Sequence, residues 1–379
     1  MRSIRTLALL FAIPFVLVTP RAAAHLAAPD TEAWLAAEVD GWSKGEVPER
    51  VTALRALNPE YDLMARTFLS LALADRALDD PALAPQHLAA IDTMIADTLA
   101  AEAAGSQRHF LLPYADLAPF GGTGRSLFVD GELLVMMGSR RLIRDDRWGA
   151  EMQDRVGLVQ ANLGEDGLAE SYPDEGWTFC HSMALVGLRM HEVLDGADHS
   201  AVTGAFLAFA RSSLIHEPTG MLVSEFDMDG RHHDGPEGSS IWFATAALAA
   251  IDPELGAEQY ALARQHLGRS ILGLGYAREW PAGFDNGEDI DSGPVVPLIE
   301  ASASSSGLAI AAAAAYGDVR WSGQLEDALG AAEILLATSP VLSASADNAV
   351  GRAVLLWGLG FGPTWQRLQG ESAPLSRLR

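Results

Sequence analysis

The chain is predicted to be all-α: an (α/α)6 barrel (a toroid) of paired antiparallel helices with long loops on one face. Three observations point there. Ala- and Leu-rich amphipathic segments recur along most of the chain, with apolar residues at helical spacing. No run of alternating strands interrupts them. The connections fall into two classes, tight joints and long loops. Antiparallel hairpins stacked in order put every long connection on the same face, and long structured loops are where function concentrates.

The elements follow in chain order. Residues 1–24 read as a cleaved secretory signal: Arg2 and Arg5 form a basic start, Leu7 to Val18 an apolar core, and Ala22-Ala23-Ala24 a small-residue cleavage site. The apolar core is too short for a membrane span, so the expected location is periplasmic or secreted, with no membrane contact beyond export. Helical patterns cover 31–44, 49–57, 60–78, 81–104, 126–144, 147–162, 178–195, 199–214, 239–251, 256–273, 303–316, 322–338 and 345–360. Asn58-Pro59 supplies an N-cap before a proline at the first helical position. Tight joints fall at Asp145, Asp195-Gly196 and Asp252-Pro253; long connections span 105–125, 163–177, 215–238 and 274–302. No low-complexity linker divides residues 25–379, which are expected to form a single domain.

Charge and cysteine content narrow the function. The formal net charge is −24, which argues against nucleic acid and anionic lipid surfaces, both polyanions. A single cysteine excludes an internal disulfide, so an ordinary packed core must hold the chain. The expected partner is a small-molecule substrate; self-association into a homo-oligomer stays open.

The densest chemistry lies between Ser171 and His181. That stretch holds Asp174, Glu175, Trp177 and Cys180, and it ends where a helical apolar pattern begins. A thiol at the mouth of a helix feels the positive end of the dipole, which favours thiolate. The alternative is that Cys180 is a small buried hydrophobe. Loop 274–302 adds Tyr276, Glu279, Trp280, Asp289 and Asp291; Trp242 follows loop 215–238, and Glu132 lies near the same end of helix 126–144. Asp289 and Asp291, two apart in an extended segment, point the same way, as acid–base work or hydroxyl binding requires; capping helix ends is the competing role. Glu225 to Gly230 matches half a calcium loop, but Pro236 stands where the bidentate acid belongs, so a turn is expected. His232 and His233 diverge as neighbours must and lack a third ligand at a familiar spacing. No nucleophile elbow, phosphate loop or dinucleotide fingerprint is present, and nothing requires a metal or organic cofactor.

From about residue 58 onward the chain resembles the linalool dehydratase/isomerase family of exported (α/α)6 proteins. The resemblance rests on Gly131-Glu-Leu-Leu-Val-Met136-Met-Gly138, the Ser171 to Cys180 segment, Leu194-Asp-Gly196-Ala-Asp198, Asp252-Pro253, and Asp289-Ile-Asp291 before a helix ending at Gly317-Asp318. It implies cofactor-free elimination of water and allylic rearrangement on a terpene alcohol. By position, Cys180 matches one family cysteine, Ser171 stands at the other, Glu132 falls at the family histidine and Trp242 at a pocket tyrosine. The expected scheme has Glu132 protonating a leaving hydroxyl while Cys180 thiolate or Asp174 removes a proton. Trp177 and Trp242 would face a developing cation. Two alternatives stand beside it: a carbohydrate-active enzyme using paired carboxylates, and a non-catalytic binding protein.

Overall fold

The computed structural model describes residues 20–284, 295–296, 299–337 and 349–370. Among them the chain is mainly helical: α1 Pro20–Ser43, α2 Glu49–Leu57, α3 Pro59–Asp79, α4 Ala84–Gly105, α5 Leu127–Ile143, α6 Gly149–Leu163, α7 Thr178–Asp195, α8 Ser200–Ser213, α9 Gly238–Ile251, α10 Pro253–His266, α11 Ala303–Ala315, α12 Val319–Ala337, α13 Ala349–Gly360 and α14 Pro363–Leu368. The N-cap read at Asn58 is present: its side chain accepts the Glu60 N–H at 2.8 Å, with Pro59 opening the helix. Asp252 caps α10 in the same way, accepting the Leu255 N–H at 3.0 Å ahead of Pro253. None of the helices among the described residues is long and apolar enough to cross a membrane. The basic start and apolar run of the expected signal lie outside the described residues.

Helix packing follows the order of the chain. α3 packs on α5, α5 on α7, α7 on α9, α9 on α11, α11 on α13, and α13 returns to α3. A second set lies against these six: α10 on α9, α12 on α11, α6 against α5 and α7, with α1 lying against both α4 and α12. The long connections before α5, α7, α9 and α11 each enter a member of the first set at its N-terminus. Small residues let these helices approach. A Cβ on Gly131 would stand 3.1 Å from the Ala184 backbone nitrogen, and one on Gly187 would stand 2.6 Å from Leu134 Cγ, so α5 and α7 meet nearly backbone to backbone. Gly307 and Gly358 do the same between α11 and α13: a Cβ on Gly358 would come within 3.2 Å of the Gly307 carbonyl.

Between the six helices sits an aromatic cluster. Phe68 of α3 lies 6.4 Å from Phe179 of α7, 5.9 Å from Phe243 of α9 and 5.2 Å from Trp357 of α13, ring centre to ring centre. Phe179 and Phe243 are 4.6 Å apart. Tilted and edge-on pairs of this kind each add about 0.5–1.5 kcal/mol beyond area burial. At the far end of α3, buried Asp75 accepts the Thr364 N–H at 2.6 Å and so anchors the first turn of α14.

One expected helix is cut short. The pattern over 256–273 is helical only to His266, after which β3 Gly268–Ile271 and β4 Leu274–Arg278 form an antiparallel hairpin. Leu272 and Gly273 both take positive φ, +53° and +89°, the turn that matches strand twist in a two-residue hairpin. Gly275 lets the hairpin lie against α12, where a Cβ would be 2.9 Å from the Leu325 nitrogen. β4 also pairs with β6 Ala301–Ser302, and β6 with β5 Val295–Val296. A second small pair, β1 Gly176–Trp177 with β2 Glu225–Phe226, joins two of the long connections. Backbone hydrogen bonding across loops, invisible to helical periodicity, decides these pieces.

Candidate active site

The N-terminal ends of α3, α5 and α7 carry the site, and each is held by the loop before it. At α5, the Gln107 side chain accepts the Ser126 N–H at 2.8 Å, and the Ser126 hydroxyl donates to the Ser171 carbonyl at 2.7 Å. Asp130, one turn in, is fully buried and takes Arg125, Arg155 and Gln107 as donors. At α7, the Thr178 N–H and hydroxyl donate to the Ser224 and Val223 carbonyls. His181 closes the loop: its Nε2 accepts the Ala169 N–H at 3.1 Å while Nδ1 meets the Trp177 carbonyl at 2.9 Å. That pairing assigns the proton to Nδ1, since a carbonyl can only accept. Burial drives the ring's pKa down to about 4, so it is a neutral clamp. The loop is therefore tied to α5 at Ser171 and to α7 at Ala169.

Glu132 is the unusual group. It is fully buried, and neither carboxyl oxygen has a hydrogen-bond partner. Burial pushes its pKa up to about 8; the nearby Thr67 hydroxyl opposes this slightly, though its own proton goes to the Leu63 carbonyl at 3.2 Å and not to Glu132, and the charge of Glu60 pushes the pKa further up. At neutral pH it is a carboxylic acid with its proton to give. The Ser171 hydroxyl is likewise buried and unpartnered. It faces the Cys180 thiol, which both Glu60 and Glu132 also reach electrostatically. Glu132, Ser171 and Cys180 thus come together from three segments, as the sequence led us to expect.

Cys180 itself is corrected. Burial pushes its thiol well above the ordinary range, and the acidic neighbours push the same way. The helix dipole is worth roughly 1 kcal/mol, whereas removing a thiolate from water costs several. Desolvation wins, and Cys180 is a neutral thiol packed among apolar neighbours.

The remaining expected residues separate from this group. Asp174 is exposed, at φ +64°, with its N–H donating to Glu170 Oε1 at 2.8 Å, so it shapes a turn. Trp242 is fully buried but packs on Tyr260 of α10 and Trp321 of α12, away from the neighbouring Phe243 that joins the central cluster. Glu279 ties helix starts together: Oε1 accepts the Ser239 N–H at 2.8 Å and Oε2 the Ser305 hydroxyl at 2.9 Å. Trp280 stacks on Phe284 at 5.2 Å, and Tyr276 sits in β4 opposite Arg269. Trp177 is half-buried in β1 with its indole nitrogen unpartnered. Asp289 and Asp291 lie outside the described residues. The half calcium loop is closed by protein groups, since Asp227 takes the Arg231 guanidinium and backbone together with His233. Among the described residues no group of three or more His, Cys, Asp or Glu is placed to hold a metal ion.

Two further residues at this end of the helices carry no local signal that sets them apart in the sequence. Glu60, the second residue of α3, receives the Tyr172 hydroxyl at 2.5 Å, and Tyr172 in turn accepts the Leu112 N–H at 2.9 Å. Tyr172 also stacks on Tyr114 at 4.5 Å. The Asn58-Pro59 helix start fixes only the end at which Glu60 lies, the same as that of the other helix N-termini. Compared with known proteins, the chain matches no family model and no curated protein.

Proposed function

We propose that this protein is an exported, cofactor-independent hydro-lyase or isomerase acting on a small hydrophobic, terpenoid-like alcohol, built as an (α/α)6 barrel akin to the linalool dehydratase/isomerase family. The closed order of helix contacts supports the barrel, and the N-terminal basic and apolar pattern supports export. One observation carries the activity: Glu132 is buried, protonated at neutral pH and unpartnered on both oxygens. A carboxylic acid kept neutral by desolvation is what protonating a leaving hydroxyl requires, because its proton is still in place at neutral pH to neutralise the negative charge that builds on the leaving oxygen as the C–O bond breaks.

The surroundings fit that role. The Ser171 hydroxyl and the Cys180 thiol offer weak, neutral hydrogen-bonding partners to a bound alcohol. In this reading an allylic cation is held against the cluster that Phe68 and Phe179, chain neighbours of Thr67 and Cys180, build with Phe243 and Trp357. A desolvated contact of a cation with a ring face is worth about 2 kcal/mol or more. In this reading the aromatic walls come from these four rings and not from Trp242, which faces the second set of helices.

The test is gas chromatography of the purified mature protein with a panel of tertiary and allylic alcohols. Formation of alkene or rearranged alcohol, lost in Glu132→Gln, supports the proposal. A panel without turnover, or turnover indifferent to Glu132, refutes it.

A further inference from the structure

We infer that Glu60 is the proton acceptor of this site and that Tyr172 is the residue that positions it. The inference rests on the hydro-lyase reading above. An elimination needs an acid and a base, and Cys180 as a neutral thiol cannot serve as the base. The structure offers a second carboxyl group in an environment opposite to that of Glu132.

The contrast lies in the hydrogen bonds. The Tyr172 hydroxyl has one proton and already accepts the Leu112 N–H at 2.9 Å, so it donates to Glu60 Oε1 at 2.5 Å. Asn58 Nδ2 donates to Glu60 Oε2 at 3.4 Å. Glu60 also occupies the first turn of α3, where the helix dipole favours negative charge. Glu132, fully buried, meets no donor on either oxygen. Environments that push two carboxyl groups apart assign one as acid and the other as base.

Placement agrees with those roles. Glu60 is half-buried at the start of α3, and α3 packs alongside α5, which carries Glu132. Thr67, the residue of α3 that faces Glu132, lies about 10 Å of helix rise below Glu60. The charge of Glu60 reaches Glu132 across that distance and opposes its ionisation. Both carboxyl groups and the Ser171 hydroxyl act on the Cys180 thiol, so the four groups share one neighbourhood.

The step balances without a redox partner. The Glu132 O–H bond breaks as its proton joins the substrate hydroxyl, and the C–O bond breaks with its electron pair leaving as water. A C–H bond next to the cation then breaks, its electrons forming the C=C bond and its proton going to Glu60. The sum is alcohol to alkene plus water, and transfer of the proton from Glu60 through water to Glu132 restores the site.

The experiment uses enantiopure 3-methyl-1-penten-3-ol in oxygen-18 water with the full mature protein, following label exchange and diene formation separately. Exchange needs only ionisation by Glu132 and return of water; diene formation needs the acceptor as well. Glu60→Gln is expected to keep exchange within about threefold while losing diene at least about a hundredfold; Glu132→Gln loses both. Tyr172→Phe is expected to lower diene formation at least about tenfold relative to label exchange, because the acceptor loses the hydrogen bond that fixes its position while ionisation by Glu132 is untouched. Diene formed by Glu60→Gln at the wild-type rate overturns the inference and leaves the proposed function standing. Loss of exchange together with diene in Glu60→Gln, at unchanged circular dichroism, overturns it too. An unchanged ratio of diene formation to exchange in Tyr172→Phe removes the positioning role. Wild-type protein that neither exchanges nor eliminates refutes the proposed function, and this inference with it.

Discussion

Replacing Glu132 by glutamine keeps the shape of the side chain and removes its titration, so its effect is readable in stability as well as in activity. The wild-type carboxyl is held at a pKa of about 8 against an ordinary value of 4.5, with burial as the main cause. The folded state therefore holds a proton that the unfolded chain releases. Between pH 4.5 and pH 8 the folded state binds more protons than the unfolded one, so stability falls as pH rises through that window. Above it the fold carries a buried, unpartnered carboxylate. At 1.36 kcal/mol per unit the total loss is on the order of 5 kcal/mol. Glutamine has no such term, and its stability relative to wild type must grow by that order between pH 5 and pH 8.5. Urea denaturation of both proteins at several pH values measures it. Groups common to both, such as Asp75, cancel in the difference. Parallel stability curves would refute the claim that Glu132 is a buried neutral acid, and the activity argument would fall with it.

Three further outcomes follow from the same geometry. Cys180, buried and neutral, is expected to resist iodoacetamide at pH 8 in the folded protein and to react on unfolding; rapid alkylation of native protein would restore the thiolate reading. Asp75 has its pKa pushed up to about 7 by burial, with the Thr364 N–H opposing, so stability falls as pH rises from about 4 to 7; Asp75→Asn should remove that slope in urea titrations. Gly167 takes φ +73°, and a Cβ there would stand 2.4 Å from the Phe206 nitrogen, so Gly167→Ala should cost about 2 kcal/mol or more and lower turnover by displacing the Ser171 loop; an unchanged melting temperature would count against that packing.

Much of the helical framework was legible because amphipathic spacing is a local signal. The segments at 49–57, 178–195 and 239–251 stand within a residue of where the pattern places them. The stretch 256–273 was misread past His266, since nothing local distinguishes a helix end from a hairpin whose strands are held by α12 and β6. At the site, Glu132, Ser171 and Cys180 were identifiable as a set, whereas Asp174 was chosen for its charge and proved to be an exposed turn residue. Glu60 escaped notice because its partner, Tyr172, is far away in sequence.

By itself the sequence determined the mainly helical character, the joints at Asn58-Pro59 and Asp252-Pro253, and the gathering of candidate residues at the long connections. These depend on spacing, capping and turn chemistry within a few residues. Only the tertiary structure decided the chemistry of each group: that Glu132 is an acid, that Cys180 is a neutral thiol, that Trp242 looks away from the central cluster. Those properties come from desolvation and from partners contributed by distant segments, and the cost of burying a charge is set by everything packed around it.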